Sequence, residues 1–327
     1  MGKCVKEITN YGLKGFILHC MWRMTKNDAI KSKYYSIKAK RYFLCDKMKQ
    51  AEIISDFYEE MIGIRIDINN PRTFCEYLQW IKLNEMPIEK TNLSDKYAVR
   101  EWISKEIGEQ YLVPIIGVWD RFDEINFDAL PNQFCLKTNH GSGMNYIVKD
   151  KNSININKLK KQFEEWMEYE FSMQTFEVQY YPIKRKIIAE KYMEEMSGNL
   201  YDYKFHCFNG EPIFIQCIGD RDLVTHKGFQ NNYDLEWRKL DWIFEDYPQF
   251  DYEVAKPSKL NEMIDVAKKL ARDFRYVRVD LYEINGQVKF GEMTFTPSSG
   301  LYPYKGTWTR MKDEQLGDLM RGKTRDR

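Results

Sequence analysis

The spacing of apolar positions changes character along the chain. Up to about residue 130 it follows the three- and four-residue steps of a helix face; beyond that, short runs and alternations read as strands. Residues 47–62 (KMKQAEIISDFYEEMI) predict an amphipathic helix ended by Gly63. Asn70-Pro71 predicts the start of a second helix, with Phe74, Tyr77, Leu78 and Ile81 on one face. Ser94 reads as the N-cap of a third, DKYAVREWISKEIG, which stops at Gly108. Residues 111–119 predict an extended segment carrying Pro114.

Beyond residue 130, Phe134–Lys137 predicts a short strand. The small-residue loop His140-Gly141-Ser142-Gly143 follows, then a strand through Tyr146–Val148. A helix over 156–171 and a strand over Lys186–Glu190 come next. Tyr201–Cys217 predicts a hairpin around Asn209-Gly210, Lys259–Phe274 a helix, and Arg275–Phe295 a second hairpin turning near Asn285-Gly286. The polar, basic tail from Gly322 is expected to fray. The fold class expected is α+β, a helix-rich first third followed by a body with antiparallel hairpins, and no repeat is visible.

Composition adds bounds. At roughly 150 residues per domain, 327 residues make about two domains. With 43% apolar and 30% charged residues, global disorder is ruled out. The balance of 50 Lys and Arg against 49 Asp and Glu argues against a nucleic-acid surface but leaves room for a local phosphate pocket. The seven cysteines (Cys4, Cys20, Cys45, Cys75, Cys135, Cys207 and Cys217) are odd in number and lack C-x-x-C spacing. This argues against a disulfide framework or zinc ribbon and predicts a reduced, cytoplasmic protein whose cysteines act as small buried hydrophobes. The apolar run Gly15–Trp22 is too short to span a bilayer and is followed by no signal-peptidase-like site. Met1-Gly2 lacks the Ser or Thr at position 6 that myristoylation needs, since Lys6 stands there. The basic, aromatic stretch Lys14–Arg41 reads as an amphipathic helix packed on the body, with contact at a membrane surface as the alternative.

The hairpin VRVDLYEINGQVKFGEMTF, residues 277–295, carries the most chemistry. Val277, Val279 and Leu281 share one face of its first strand, and Met293 and Phe295 one face of its second. Placing both sets on one core requires pairs with an even index sum. That predicts an odd loop, Asn285-Gly286-Gln287, with a glycine bulge rather than a two-residue turn. Asp280 then lies across from Glu292, and Arg278 across from Thr294. Facing carboxylates repel by about 0.2–1 kcal/mol, a sign that a divalent cation reverses. Oxygen ligands of this kind suit Mg²⁺ held by one or two carboxylates and substrate phosphates. The same spacing is equally that of a solvated charged face with Arg278 balancing the acids.

Two further stretches add polar groups. In Lys137-Thr138-Asn139-His140-Gly141-Ser142-Gly143 the glycines let backbone N–H groups converge on a phosphate, with Lys137 for charge. An ordinary hairpin loop has the same look, and the segment is neither a P-loop nor a dinucleotide fingerprint. Asp202, Lys204 and His206 alternate onto one strand face, opposite Phe205 and Cys207. They read either as solvent-exposed or, with Arg221, as the lining of a nucleotide site.

The order LSDKYAVREWI, LPNQFCLKTNHGSG, IIAEKYM, DYKFHCFNGEP, VRVDLYEINGQVKFGEMTF, TPSSG resembles the ATP-grasp superfamily, in its TupA-like branch, over roughly residues 70–310. That branch is associated with teichuronopeptide and other surface-polysaccharide biosynthesis. The resemblance implies two α+β subdomains holding ATP, and a division into residues 1–70 (N-terminal helices), 71–130, 131–192 (first subdomain), 193–321 (second subdomain) and a tail, 322–327. It implies that Lys96 and Lys137 reach the ATP phosphates and that Gly141-Ser142-Gly143 forms the flap over them. Glu190, Lys191, Tyr192 and Met193 match the adenine hinge. Asp202 matches the ribose acid, with Glu194 and Glu195 as rivals. Lys204 and Arg221 match the basic pair near the γ-phosphate, and Asp280 and Glu292 the metal acids. Thr294 stands where many relatives carry a metal-binding Asn. Arg278 matches the arginine that stabilises a tetrahedral oxyanion.

The activity implied is an ATP- and Mg²⁺-dependent carboxylate–amine ligase working through an acyl phosphate. Its implied substrates are small-molecule or glycan carboxylates, a uronic acid among them, and amines. Nucleic acid is not an expected partner, whereas peripheral contact with membrane-associated glycan machinery is compatible with the resemblance. The alternatives are an ATP-grasp kinase acting on a sugar or polyol hydroxyl and a non-catalytic ATP-binding component of a polysaccharide assembly complex.

Overall fold

The structure is a computed structural model that describes residues 3–193, 200–220 and 228–321. Three helices come first: α1 (Lys3–Thr25), α2 (Asp28–Leu44) and α3 (Lys47–Ile62). Then follow α4 (Phe74–Asn84), α5 (Ile88–Ser94), α6 (Val99–Glu106), β1 (Ile115–Trp119), β2 (Phe134–Thr138), β3 (Asn145–Val148), α7 (Ile156–Glu168), α8 (Ser172–Thr175) and β4 (Ile187–Lys191). The last part holds β5 (Asp202–Phe208), β6 (Glu211–Gly219), β7 (Phe229–Tyr233), α9 (Leu260–Ala271), β8 (Tyr276–Ile284), β9 (Gln287–Thr294) and α10 (Arg310–Met320). The chain divides into two units: Met1–Ile66, Ile81–Tyr97 and Ile115–Lys191 form the first, and Asp67–Trp80, Ala98–Pro114 and Tyr192–Arg327 the second.

The helix ends follow local chemistry. Asp46 accepts the Lys49 amide at the start of α3, and Gly63, at φ 81°, closes it in the left-handed conformation glycine favours. The second predicted helix begins three residues later than expected, at Phe74. The Thr73 hydroxyl takes the Glu76 amide at 3.2 Å, so Thr73, not Asn70-Pro71, caps it. The Ser94 reading is corrected outright. Ser94 is the last residue of α5, closed by the Asp95 amide on the Thr91 carbonyl, and α6 starts only at Val99. The residues between them form a turn, with Asp95 accepting the Tyr97 amide at 2.8 Å. The helices expected over 156–171 and 259–274 are both shorter, α7 ending where Tyr169 turns extended and α9 at Ala271.

In the first unit the antiparallel sheet has the order β1-β4-β2-β3. Phe134, Leu136, Val148, Ile187 and Ala189 share one face and bury against Leu159 and Phe163 of α7. Each large apolar side chain so buried contributes about 1.5–3 kcal/mol. The other face carries Cys135 and Lys137 opposite Glu190 and Ile188.

In the second unit the antiparallel order is β7-β6-β5-β8-β9. Phe205, Cys207, Ile215, Val277, Val279 and Met293 are all buried on the face against α9, which supplies Met263, Ala267 and Leu270. The opposite face carries Asp202, Lys204, Arg278, Asp280, Glu292 and Thr294.

The β8–β9 hairpin pairs as expected at its chemical end, with Asp280 opposite Glu292 and Arg278 opposite Thr294. The device is different from the odd loop expected. The turn is the two-residue Asn285-Gly286, both at positive φ, and the register shifts between Asp280 and Leu281 because Gly291 is an extra residue on β9. A Cβ on Gly291 would stand 2.8 Å from Tyr282 Cε2 and 3.0 Å from the Asp280 carbonyl oxygen, so glycine is the residue that fits this bulge.

Candidate active site

The polar face of the second sheet is an ion network built on three strands. Lys204 Nζ lies 2.6 Å from Asp202 Oδ2 and 2.5 Å from Asp280 Oδ2. Arg278 donates from Nε to Asp280 Oδ1 and from Nη2 to Asp280 Oδ2, both at 2.7 Å. The same Nη2 reaches Thr294 Oγ1 at 3.1 Å and Glu292 Oε1 at 3.3 Å, and the Thr294 hydroxyl donates to Glu292 Oε1 at 2.9 Å. The centre of the network is buried, which overturns the reading of a solvated strand face: Asp202 is 4%, Lys204 6% and Asp280 2% exposed. Burial opposes the charge on Arg278, but Asp280 and Glu292 outweigh it and hold the guanidinium protonated well above its ordinary range.

His206, the third residue of the alternation, does not join this network. It is fully buried, stacks on Phe214 with ring centroids 4.2 Å apart, and shares a hydrogen bond with the Tyr276 hydroxyl at 2.8 Å. Burial, then the charge of Arg278, drives its pKa far down, so it is a neutral core side chain.

Three carboxylates face two cations here, and every donor to a metal would be oxygen. Among the described residues no three His, Cys, Asp or Glu side chains form a complete metal cage. A pair of carboxylates with excess negative charge instead fits Mg²⁺, which takes one or two carboxylates and completes its shell with phosphates and water. The side chain of Glu292 is 34% exposed whereas that of Asp280 is 2% exposed, so Glu292 is the accessible acid and Asp280 the anchored one.

The first unit carries the other predicted residues. Lys137 Nζ lies 2.6 Å from Glu190 Oε2, across adjacent strands on the face that also carries Ile188. The glycine loop is held at its base by Asn139, whose side chain accepts the Lys186 amide at 2.7 Å and donates to the Lys184 carbonyl at 3.0 Å. Gly141 takes φ +77°, and a Cβ there would strike Phe171 at 2.6 Å, while Ser142 and Gly143 are exposed. The turn after α5 brings Lys96 to this loop: its amide donates to the Asn139 carbonyl at 3.1 Å and its Nζ to the Gly141 carbonyl. Lys96, Lys137, Gly141 and Glu190 thus belong to one unit. Lys191 ends β4 exposed, and Tyr192 and Met193 follow half-buried. Arg221, Glu194 and Glu195 lie outside the described residues.

Other ionisable groups near these residues are muted by burial. The Cys135 thiol is pushed up to about 11, chiefly by burial, which makes it a poor nucleophile. Buried His140 is pushed down to about 3, first by desolvation and then by Arg185 and Lys96, so it is neutral at physiological pH.

Two groups escaped sequence reasoning. Asp246 is exposed and accepts from the Ser298 hydroxyl at 3.4 Å. Ser298 and Ser299 of the TPSSG stretch sit at φ 45° and 56°, a strained pair that the motif flagged without its partner. Asn232 on β7, opposite Gln216, is fully buried and neither amide atom has a hydrogen-bond partner among the described residues. An Asn-Asn pair inside a strand was the available signal, because strands rarely accept it.

Two antiparallel sheets in separate α+β units, preceded by N-terminal helices, make this an ATP-grasp-like fold. The chain belongs to the TupA-like ATP-grasp family, which it matches over residues 76–321. Among solved structures it is similar to a D-alanine–D-alanine ligase from Helicobacter pylori, at 14% identity, covering 70% of this chain and 60% of that one, with a TM-score of 0.39. It is also similar to the D-alanyl-alanine synthetase A of Vibrio cholerae (12% identity, 75% and 69% covered, TM-score 0.41). A third is the D-cycloserine synthetase DcsG (16% identity, 84% and 80% covered, TM-score 0.40). The chain spans less than two thirds of the length of the Helicobacter pylori ligase. No curated protein matches it.

Proposed function

We propose that the protein is an ATP-dependent carboxylate–amine ligase that forms an amide through an acyl phosphate, with a uronic acid of a surface polysaccharide as the carboxylate. The observation that carries the chemistry is the Arg278–Asp280–Lys204–Asp202 network, continued through Glu292 and Thr294, on one sheet face. Membership of the TupA-like ATP-grasp family supports the nucleotide.

In this reading Asp280 and Glu292, with Thr294 beside them, hold Mg²⁺, which when bound neutralises phosphate charge. Lys96, Lys137 and Arg221 balance the phosphates from the protein side, and Gly141, Ser142 and Gly143 offer backbone donors. Glu190, with Lys191, Tyr192 and Met193, receives the adenine, and Asp202 the ribose hydroxyls. Lys204 orients the substrate carboxylate, whose oxygen attacks the γ-phosphorus and releases ADP. The amine then attacks the acyl carbon. Arg278 stabilises the oxyanion as phosphate leaves.

A cytoplasmic location is supported by the free thiols of Cys20, Cys45, Cys75, Cys135, Cys207 and Cys217. No helix among the described residues is long and apolar enough to cross a membrane. Peripheral contact with membrane-associated glycan machinery is supported by the outward apolar side chains of α1, Leu13, Ile17, Met21 and Met24, set beside exposed Lys14 and Arg23.

The test is phosphate release and product mass with uronic acids and amines added singly and together. Release that needs both, with a product one water lighter than their sum, supports the ligase. A stable phosphorylated sugar sinks it in favour of a kinase.

A further inference from the structure

Residues 1–66 belong to the first unit but precede the span matched by the family. A cavity of about 690 Å³ opens among α1, α2 and α3 there, edged by Gln174 and Thr175 of α8. Its wall is aromatic: the rings of His19 and Tyr34 stack at 4.8 Å, with Trp22 stacked on His19 at 5.7 Å. Lys38 lines the cavity and is 5% exposed. Its Nζ sits 4.0 Å from the ring centroid of Phe176, 5.2 Å from that of Phe57, 5.6 Å from Tyr35 and 5.7 Å from Tyr11.

The acids of the wall have partners of their own. Glu7 pairs with His19 at 2.9 Å and accepts from the Tyr34 hydroxyl, and Asp56 pairs with Lys6 at 3.1 Å and Arg65 at 2.7 Å. Among the described residues Lys38 forms no ion pair and no hydrogen bond; Glu7 and Glu60 act on it only from a distance. A buried cation without a counter-ion is costly, and ring faces offset only part of that cost. Burial accordingly pushes Lys38 down to about 7.

We propose that this cavity binds an acidic sugar, a ring bearing a carboxylate or phosphate group, with Lys38 as the counter-ion of that group. The aromatic wall takes the C–H face of the ring, and Glu7, Glu60 and Asn10 take its hydroxyls. The site uses none of the residues assigned to the ligase reaction and stands whether or not that reading holds.

The experiment is calorimetric titration of the full chain, without nucleotide, by glucuronate, glucose 6-phosphate, glucose and inorganic phosphate. Glucuronate or glucose 6-phosphate is expected to saturate one site, and which of them does so identifies the anionic group. Lys38→Met is expected to weaken that binding about 30-fold or more, the loss of a buried charge partner, with ATP binding unchanged. In the wild-type protein, affinity falls as pH rises past 7, by up to about ten-fold per unit, as Lys38 loses its proton. The other titrating groups facing Lys38 are Glu7 with His19 and Tyr11 on α1, Tyr35 on its own helix, and Glu60 on α3, so the series is repeated on His19→Gln. Saturation by neither acidic sugar, equal binding by glucose or inorganic phosphate, or full binding in Lys38→Met overturns the proposal. Should Lys38→Met fail to fold, a wild-type affinity that is flat from pH 6 to about 9 overturns it.

Discussion

Arg278 grips Asp280 through two hydrogen bonds of 2.7 Å, Nε to Oδ1 and Nη2 to Oδ2, two residues apart on the same strand face. With Lys204 on the same carboxylate, Asp280 has its charge balanced within the protein itself. A planar fork makes that grip and a lysine cannot. Arg278→Lys is therefore expected to lower kcat about 100- to 1,000-fold, as loss of an oxyanion donor does, with ATP affinity nearly unchanged. Steady-state kinetics and equilibrium ATP binding check it, and an unchanged kcat would remove Arg278 from the chemistry.

The accessible acid is the cleaner probe of the metal. Asp280→Asn leaves Lys204 and Arg278 buried without their shared partner, at a cost of about 3–5 kcal/mol, so lost activity there is confounded with lost stability. Glu292→Gln changes a part-exposed group and is expected to keep the melting temperature while raising the Mg²⁺ concentration needed for turnover. Identical Mg²⁺ titrations for variant and wild type would argue against Glu292 as a ligand.

The bulge at Gly291 takes up the one residue by which β9 exceeds its partner beside the network. Gly291→Val places a Cβ against the Asp280 carbonyl and Tyr282, and overpacking of this kind costs about 1–3 kcal/mol. Deleting Gly291 removes the extra residue and leaves an unbroken ladder on the same two-residue turn, so Glu292 still pairs with Asp280 and Thr294 with Arg278. Urea melts should show partial destabilisation for the substitution. The deletion should keep measurable turnover, and its complete loss in a folded variant would mean that the bulge itself shapes the network.

Buried, neutral His140 makes stability depend on acid. Its folded pKa, about 3, lies below the unfolded value near 6.5, so its contribution is complete above pH 6.5 and is lost as pH falls towards 3. At pH 5 the loss is about 2 kcal/mol relative to pH 7. His140→Gln should flatten that part of the stability profile in urea melts at the two pH values, and an unaltered slope would mean that the imidazole is not the group responsible.

Glu190 and Lys137 neutralise each other at 2.6 Å. Glu190→Gln is expected to weaken nucleotide binding about ten-fold, by replacing a charged acceptor proposed for the adenine amino group with a neutral one and loosening the hold on Lys137. Comparing ATP with a purine lacking that amino group separates the two effects: equal losses for both would assign Glu190 to holding Lys137.

Much of the fold was legible because its signals are local. Gly63 ends α3, Asn209-Gly210 turns β5 into β6, and apolar alternation identified β8 and β9. Ser94 misled because a cap is recognised from one side only: the same Ser that can open a helix also ends α5, and Asp95 makes the turn. The Asn-Asn pair marked Asn232, but that neither of its amide atoms finds a partner depends on burial by residues distant in sequence.

The β8–β9 hairpin separates the two kinds of information most sharply. Alternation with period two is a property of the chain, and it was enough to place Asp280 opposite Glu292 and Arg278 opposite Thr294. Parity requires one extra residue somewhere between the strands but is indifferent to where. Packing chose Gly291, the position where the Asp280 carbonyl and the Tyr282 ring leave no room for a side chain. Steric exclusion of that kind depends on neighbours across the sheet, so only the tertiary structure decides it.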